Sequence, residues 1–199
     1  MGKKSDKQEE DSVASPPKIE APGSYLRENG VLYLNDKFDK DTIHPLIMQI
    51  HEYNLMPKEL RPEAIKLHIN SPGGAVSWCF QLVDAMRTSE IPVITIAQGL
   101  VASCGVVTLM AGHKRIATHN TSIMSHVYSA GAGQMKEFDI HARHREHLMM
   151  GDRMEQHYKK FTKKSVKYIR KHLLPAEDVW MTPEEAIGHG IIDEVWKTY

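Results

Sequence analysis

Ser103 stands in Ala102-Ser103-Cys104-Gly105, six residues beyond an apolar, β-branched run over 91–97 and at the start of the small-residue stretch 102–110. A serine between a strand and a helix lies at the carboxyl edge of a parallel sheet, where α/β sites form. The helix N-terminus also favours developing negative charge. A serine hydroxyl is a weak nucleophile without a base. His126, ending Ser122-Ile123-Met124-Ser125-His126, is the candidate base. A third group must orient its imidazole. By position alone Asp139, Asp178 and Asp193 compete for that role. The turn Asn70-Ser71-Pro72-Gly73-Gly74 offers a backbone N–H to a tetrahedral oxyanion, and the Cys104 N–H is a second donor. One such donor is worth about 3 kcal/mol of barrier. The plainer reading of the same residues is a capping serine and a strand histidine with satisfied hydrogen bonds.

The elements that must hold these groups follow from pattern. Residues 1–23 are polar, carry Ser15-Pro16-Pro17 and Ala21-Pro22-Gly23, and read as a disordered tail ahead of one domain over 24–199. Asn29-Gly30 turns into a strand at 31–34. Ile43, Leu46, Ile47 and Ile50 recur at helical spacing, which predicts a helix over 39–53 that Pro57 and Pro62 end. A strand at 64–69 leads to the glycine turn, and a helix follows with Trp78, Leu82, Val83 and Met86 inward. The run 91–97 predicts a central strand covered on both faces. Gln98-Gly99 reads as its turn and 102–110 as a helix. Short strands are expected at 114–117 and 121–126. Ser129-Ala130-Gly131-Ala132-Gly133 precedes a long helix over 135–161, longer than a compact domain of this size needs. A helix at 164–172, a strand at 178–181, a capped helix opening at Thr182-Pro183 and a strand at 191–195 complete the chain. Alternating strands and helices make this an α/β fold.

Composition narrows the function. With 25 basic and 25 acidic residues in 199, the formal net charge is zero, so no overall field points to nucleic acid. The apolar fraction of 41% suffices for a core. No apolar run approaches a membrane span, and Met1-Gly2-Lys3-Lys4 leads into no signal-peptide core. Cys79 and Cys104 are too few to staple a secreted domain and read as reduced core thiols. A cytoplasmic protein with no membrane and no nucleic-acid partner is expected.

Five segments together carry a resemblance. They are Ile69-Asn70-Ser71-Pro72-Gly73-Gly74, the stretch 99–105, Met124-Ser125-His126, Ile140-His141-Ala142-Arg143, and Thr182-Pro183-Glu184-Glu185-Ala186 with Gly190-Ile191-Ile192-Asp193. In this order and at these gaps, over about residues 30–197, the chain resembles the ClpP family. These are the proteolytic subunits of Clp proteases, serine peptidases of a crotonase-like fold. The resemblance implies a spiral of βαβ units with a projecting handle helix. It places the nucleophile on Ser103, the general base on His126 and the acidic member on Asp178, with Asp193 a structural aspartate. It puts the oxyanion donors on Gly74 and Cys104. A substrate strand would run between Gly73, Gly74, Ala75 and Val76 and the segment after His126, where Val127 and Tyr128 stand instead of the family's usual Gln-Pro. It further implies heptameric rings stacked in pairs around a chamber, and unfolded polypeptides fed in by an AAA+ unfoldase. No cofactor is implied, since only the separate unfoldase would use ATP. Ala176-Glu177 lacks the acidic-basic pair by which relatives often lock two rings. The charged N-terminal segment is longer than the family's axial loop.

Other readings weigh less. A stand-alone head-maturation protease of the same fold, a silent ring scaffold and a crotonase-type acyl-thioester enzyme share parts of the pattern. The scaffold would lack triad members, and here all three positions are filled. His141, His144 and His147, with His157 further on, drift around the helix and lack a completing carboxylate. They read as a solvated or inter-ring face and no metal site is expected. Lys159-Lys160, Lys163-Lys164 and Arg170-Lys171-His172 lack interleaved aromatics. The eleven methionines are mostly core filling.

Overall fold

The computed structural model of the chain describes residues 23–129 and 137–196, without the side chains of 137–140. Apart from Gly23, the tail expected over 1–23 lies outside these residues, as does most of the glycine-rich segment after Ser129. The strands are β1 (Val31–Leu34), β2 (Ile65–Ser71), β3 (Val93–Ala102), β4 (Lys114–Thr118), β5 (Ser122–Ser125), β6 (Val179–Met181) and β7 (Glu194–Trp196). The helices are α1 (Ser24–Glu28), α2 (Lys40–Leu55), α3 (Val76–Thr88), α4 (Cys104–Met110), α5 (Glu137–Thr162), α6 (Val166–His172) and α7 (Pro183–His189).

The result is a mixed α/β fold on a mostly parallel sheet, ordered β1-β2-β3-β4-β7. β3 is the axis. Its first half pairs with β4 through Ile94 to Ala97, and its second half pairs with β5 through Leu100 to Ala102. β5 pairs antiparallel with β6. This corrects the expectation that Gln98-Gly99 ends the strand. The ladder between β2 and β3 shifts register between Ile69 and Ser71, and the Asn70 side chain accepts the Leu100 N–H at 3.0 Å. A side-chain oxygen thus substitutes for the interrupted ladder. Gly99 takes a left-handed φ of 63°, and β3 continues past it to Ala102.

Burial follows the predicted faces. β2 alternates strictly, with Ile65, Leu67, Ile69 and Ser71 inward. α2 buries Ile43, Leu46, Ile47, Ile50 and Tyr53 and is capped by Asp39, which accepts the Thr42 N–H at 3.0 Å. α3 packs on α2 and α4, and α5 on α4 and α6. Trp78 is only half-buried; Cys79 and Phe80 take the inward places on α3. The closing strand begins at Glu194 rather than 191, because Ile191 and Ile192 turn into the core first. The last helix carries the full capping box, Thr182 with Glu185. The long helix divides in two. Residues 141–149 are exposed throughout, whereas Met154, His157, Tyr158 and Thr162 are buried. His157 therefore leaves the solvated face expected for it. Its Nε2 lies 2.8 Å from the Val107 carbonyl, and burial pushes its pKa down to about 4.

Candidate active site

Ser103 joins β3 to α4 with φ 55° and ψ −118°, a conformation that costs a non-glycine residue energy and persists only where the surroundings enforce it. Both sides do so. Its N–H donates to the Met124 carbonyl of β5 at 2.9 Å, and its carbonyl accepts the Val106 N–H of α4 at 2.9 Å. The sheet ladder thus runs into this residue and the helix starts from it.

Two glycines let the β2–α3 turn reach the same place. A Cβ on Gly73 would lie 2.7 Å from the Ser103 Cβ, and one on Gly74 would lie 2.6 Å from the Phe38 nitrogen. Each needs both the space and a positive φ, 99° and 145° respectively. Phe38 donates to the Gly73 carbonyl and accepts the Ala75 N–H. In that bridge the polar groups of Gly74 face the other way, and its carbonyl receives the Cys104 thiol at 3.2 Å. The Cys104 N–H, in the first turn of α4, has no intrahelical acceptor. Cys79 donates its thiol to the Cys104 carbonyl at 3.4 Å, and both cysteines are buried and unbridged. The hydrogen bond from Cys79 draws the Cys104 thiol pKa down, while burial pushes that of Cys79 well up.

His126 follows β5, and its Nε2 is 2.8 Å from the Ser103 Oγ. Asp178 immediately precedes β6. Because Ser125 and Val179 are paired across β5 and β6, His126 and Asp178 leave adjacent strand ends together. Asp178 Oδ1 is 3.7 Å from His126 Nδ1, within ion-pair range but longer than a hydrogen bond. Asp193 is committed elsewhere. It accepts the Arg115 backbone N–H at 2.9 Å and also pairs with the Arg115 guanidinium. Burial raises its pKa, but the bonds from Arg115 outweigh that and leave the carboxyl below its ordinary range. The side chain of Asp139 lies outside the described residues.

A cavity of about 60 Å³ opens beside Ser103 and His126 and is closed by Val76, Val107, Met154 and Tyr158. Tyr128 and Ser129 form its rim, with the Tyr128 ring against His147 at 5.0 Å between centroids. Val127 is exposed and does not line it. Clefts of about 500 Å³ beside α1 and between α3 and α5 are larger but hold no nucleophile–base pair. Chemistry rather than size selects the small one. The sequence reading missed Val107, Met154 and Tyr158 as its walls. Their signal is only an inward stripe on α4 and α5, which does not say what it faces. Among the described residues no cluster of three metal-ligating side chains occurs, and no helix is long and apolar enough to cross a membrane.

Comparison with known proteins places the chain in a family. The family model described as Clp protease matches residues 19–199. The chain belongs to the Clp protease family. It is 31% identical over 175 residues to the ATP-dependent Clp protease proteolytic subunit of Deinococcus radiodurans, covering 86% of this chain and 82% of that one. Membership of the family makes this a Clp-type peptidase, in agreement with the resemblance carried by the five sequence segments.

Proposed function

We propose that this Clp protease family member is a serine endopeptidase that uses Ser103 as nucleophile, His126 as general base and Asp178 as the orienting carboxylate. The observation that carries the proposal is the 2.8 Å approach of His126 Nε2 to a Ser103 hydroxyl held at positive φ on a helix N-terminus. With Nε2 accepting the Ser103 proton, Nδ1 carries the other ring hydrogen toward Asp178. The resulting imidazolium is stabilised by that carboxylate. The 3.7 Å separation closes when substrate binds, as loose resting contacts of this type do. Ser103 attacks the scissile carbonyl, and the oxyanion is received by the N–H groups of Gly74 and Cys104. His126 returns the proton to the leaving amine. A water, deprotonated by the same histidine, then releases the acyl chain. The reaction so written needs no cofactor.

The substrate is an extended, unfolded polypeptide laid against Gly73, Gly74, Ala75 and Val76 on one side and Val127 and Tyr128 on the other. Main-chain hydrogen bonds hold it. We assign the exposed part of α5 to contacts between copies, in heptameric rings stacked as pairs, with an AAA+ unfoldase supplying substrate in the cytoplasm. Labelling with a fluorophosphonate tests the chemistry. One adduct on Ser103 is expected, absent in Ser103→Ala and strongly reduced in His126→Ala. A folded, assembled protein that never labels, with or without an unfoldase, is instead a ring scaffold.

A further inference from the structure

The walls of the cavity beside Ser103 set a size limit on the substrate; this step rests on the serine-peptidase reading above. For attack, the carbonyl carbon must come to about 3–3.5 Å from the Ser103 Oγ. Its oxygen then points to the Gly74 and Cys104 N–H groups. Among the described residues, the adjoining cavity is the space that faces the side chain on the neighbouring acyl-side Cα, the P1 residue. That space is about 60 Å³ and is walled by Val76, Val107, Met154 and Tyr158. An engineered cavity of roughly 150 Å³ is of a size that takes a benzene ring. Side chains from alanine to valine fit; a phenyl ring does not.

The limit holds only if the walls do not yield, and the largest is pinned. Tyr158 is buried, at 1% exposure. Its hydroxyl lies 2.7 Å from the Ser125 Oγ, which donates to the Leu173 carbonyl at 2.6 Å. A carbonyl only accepts, so the chain runs from the Tyr158 hydroxyl through Ser125 to Leu173, joining α5, β5 and the end of α6. Swinging Tyr158 aside would break a bond in a place water does not reach. Val76 and Val107 are β-branched and stiff on their helices. Met154 is the one flexible wall.

We propose that Tyr158, locked by Ser125 and Leu173, and Met154 restrict cleavage to peptide bonds that follow a small aliphatic residue. Peptidyl diphenyl phosphonates with alanine, valine, leucine or phenylalanine at P1 test this on the full chain. In the labelling step an Oγ–P bond forms and one P–O bond to phenoxide breaks. The serine proton passes to His126 and phenoxide leaves. Intact-mass kinetics should show the alanine and valine reagents at least about tenfold faster than the phenylalanine reagent. Tyr158→Leu and Met154→Ala should each shift the preference toward leucine and phenylalanine, whereas Tyr158→Phe, which keeps the wall, should preserve the order. A wild-type protein that reacts as fast with the phenylalanine or leucine reagent as with alanine overturns the proposal. If Tyr158→Leu does not fold, the wild-type order and Met154→Ala decide. A fluorophosphonate without a P1 side chain runs in parallel. Its labelling of Ser103 with a flat P1 order defeats the size limit alone, and its failure to label defeats the serine reading and the size limit with it.

Discussion

Asp178 and Asp193 each pair with a basic side chain, and they do so differently. Asp193 holds Arg115 through its backbone N–H and its guanidinium, while the same guanidinium donates to the Gly190 carbonyl at 2.8 Å. Asp178 faces His126 across 3.7 Å, is 55% exposed and makes no hydrogen bond to it. The first pair is saturated and ties β4 to the turn before β7. The second is unsaturated, beside the histidine whose Nε2 lies 2.8 Å from the Ser103 Oγ. A structural pair that keeps its charge is multiply bonded. In the proposed mechanism His126 gains and loses a proton each cycle, and the looser pair leaves it room to tighten.

The largest effect expected is from Ser103→Ala, which should lower peptidase turnover by about 10⁴–10⁶-fold with the fold intact by circular dichroism. Asp178→Asn should cost about 10²–10⁴ in turnover and little in melting temperature. If it unfolds the protein instead, the contrast between the two aspartates is wrong.

His157 sharpens the contrast as a buried base with no acid beside it. Its folded pKa of about 4 lies below the 6.5 of a free imidazole, so the unfolded chain takes up the proton first as pH falls. Stability should be full above pH 6.5 and fall by about 3 kcal/mol toward pH 4. Denaturant titrations of His157→Gln, which keeps a donor for Val107 but does not titrate, should show a flatter acid limb.

Asp193→Asn should cost about 2 kcal/mol of stability and leave turnover of the surviving protein unchanged. The sign of its pH dependence follows from a depressed carboxyl. The Asp193 contribution is present above the unfolded carboxylate pKa and is lost as pH falls through the folded value. The smallest effect belongs to Lys114 and Glu194, a 3.0 Å pair with both side chains about half exposed. Removing it should move stability by no more than about 0.5 kcal/mol.

Much of this was legible in the residues. The β-branched run 91–97 holds the first half of the central strand β3. The three-and-four spacing of Ile43, Leu46, Ile47 and Ile50 is the buried face of α2, and Thr182-Pro183-Glu184-Glu185 opens a helix with its capping box. The failures have local causes. Gly99 looks like a turn, and only Asn70, twenty-nine residues earlier, shows why the strand passes through it. Ile191 and Ile192 look like a strand, but the core takes both side chains before the ladder begins. Histidine spacing put His157 with its exposed neighbours, although α4 covers it.

The sequence by itself determined most of the elements and the family, and it nominated Ser103 and His126 as the candidate reactive pair, because each is written in local pattern or in a motif of fixed spacing. Taken without the resemblance, the residues left Asp139, Asp178 and Asp193 level. The tertiary structure brings Asp178 to His126 by pairing β5 with β6, and holds Asp193 on Arg115. It also decided the size of the cavity beside Ser103, because Val76, Val107, Met154 and Tyr158 come from three helices. Such contacts depend on how whole elements pack, and no spacing within one element encodes them.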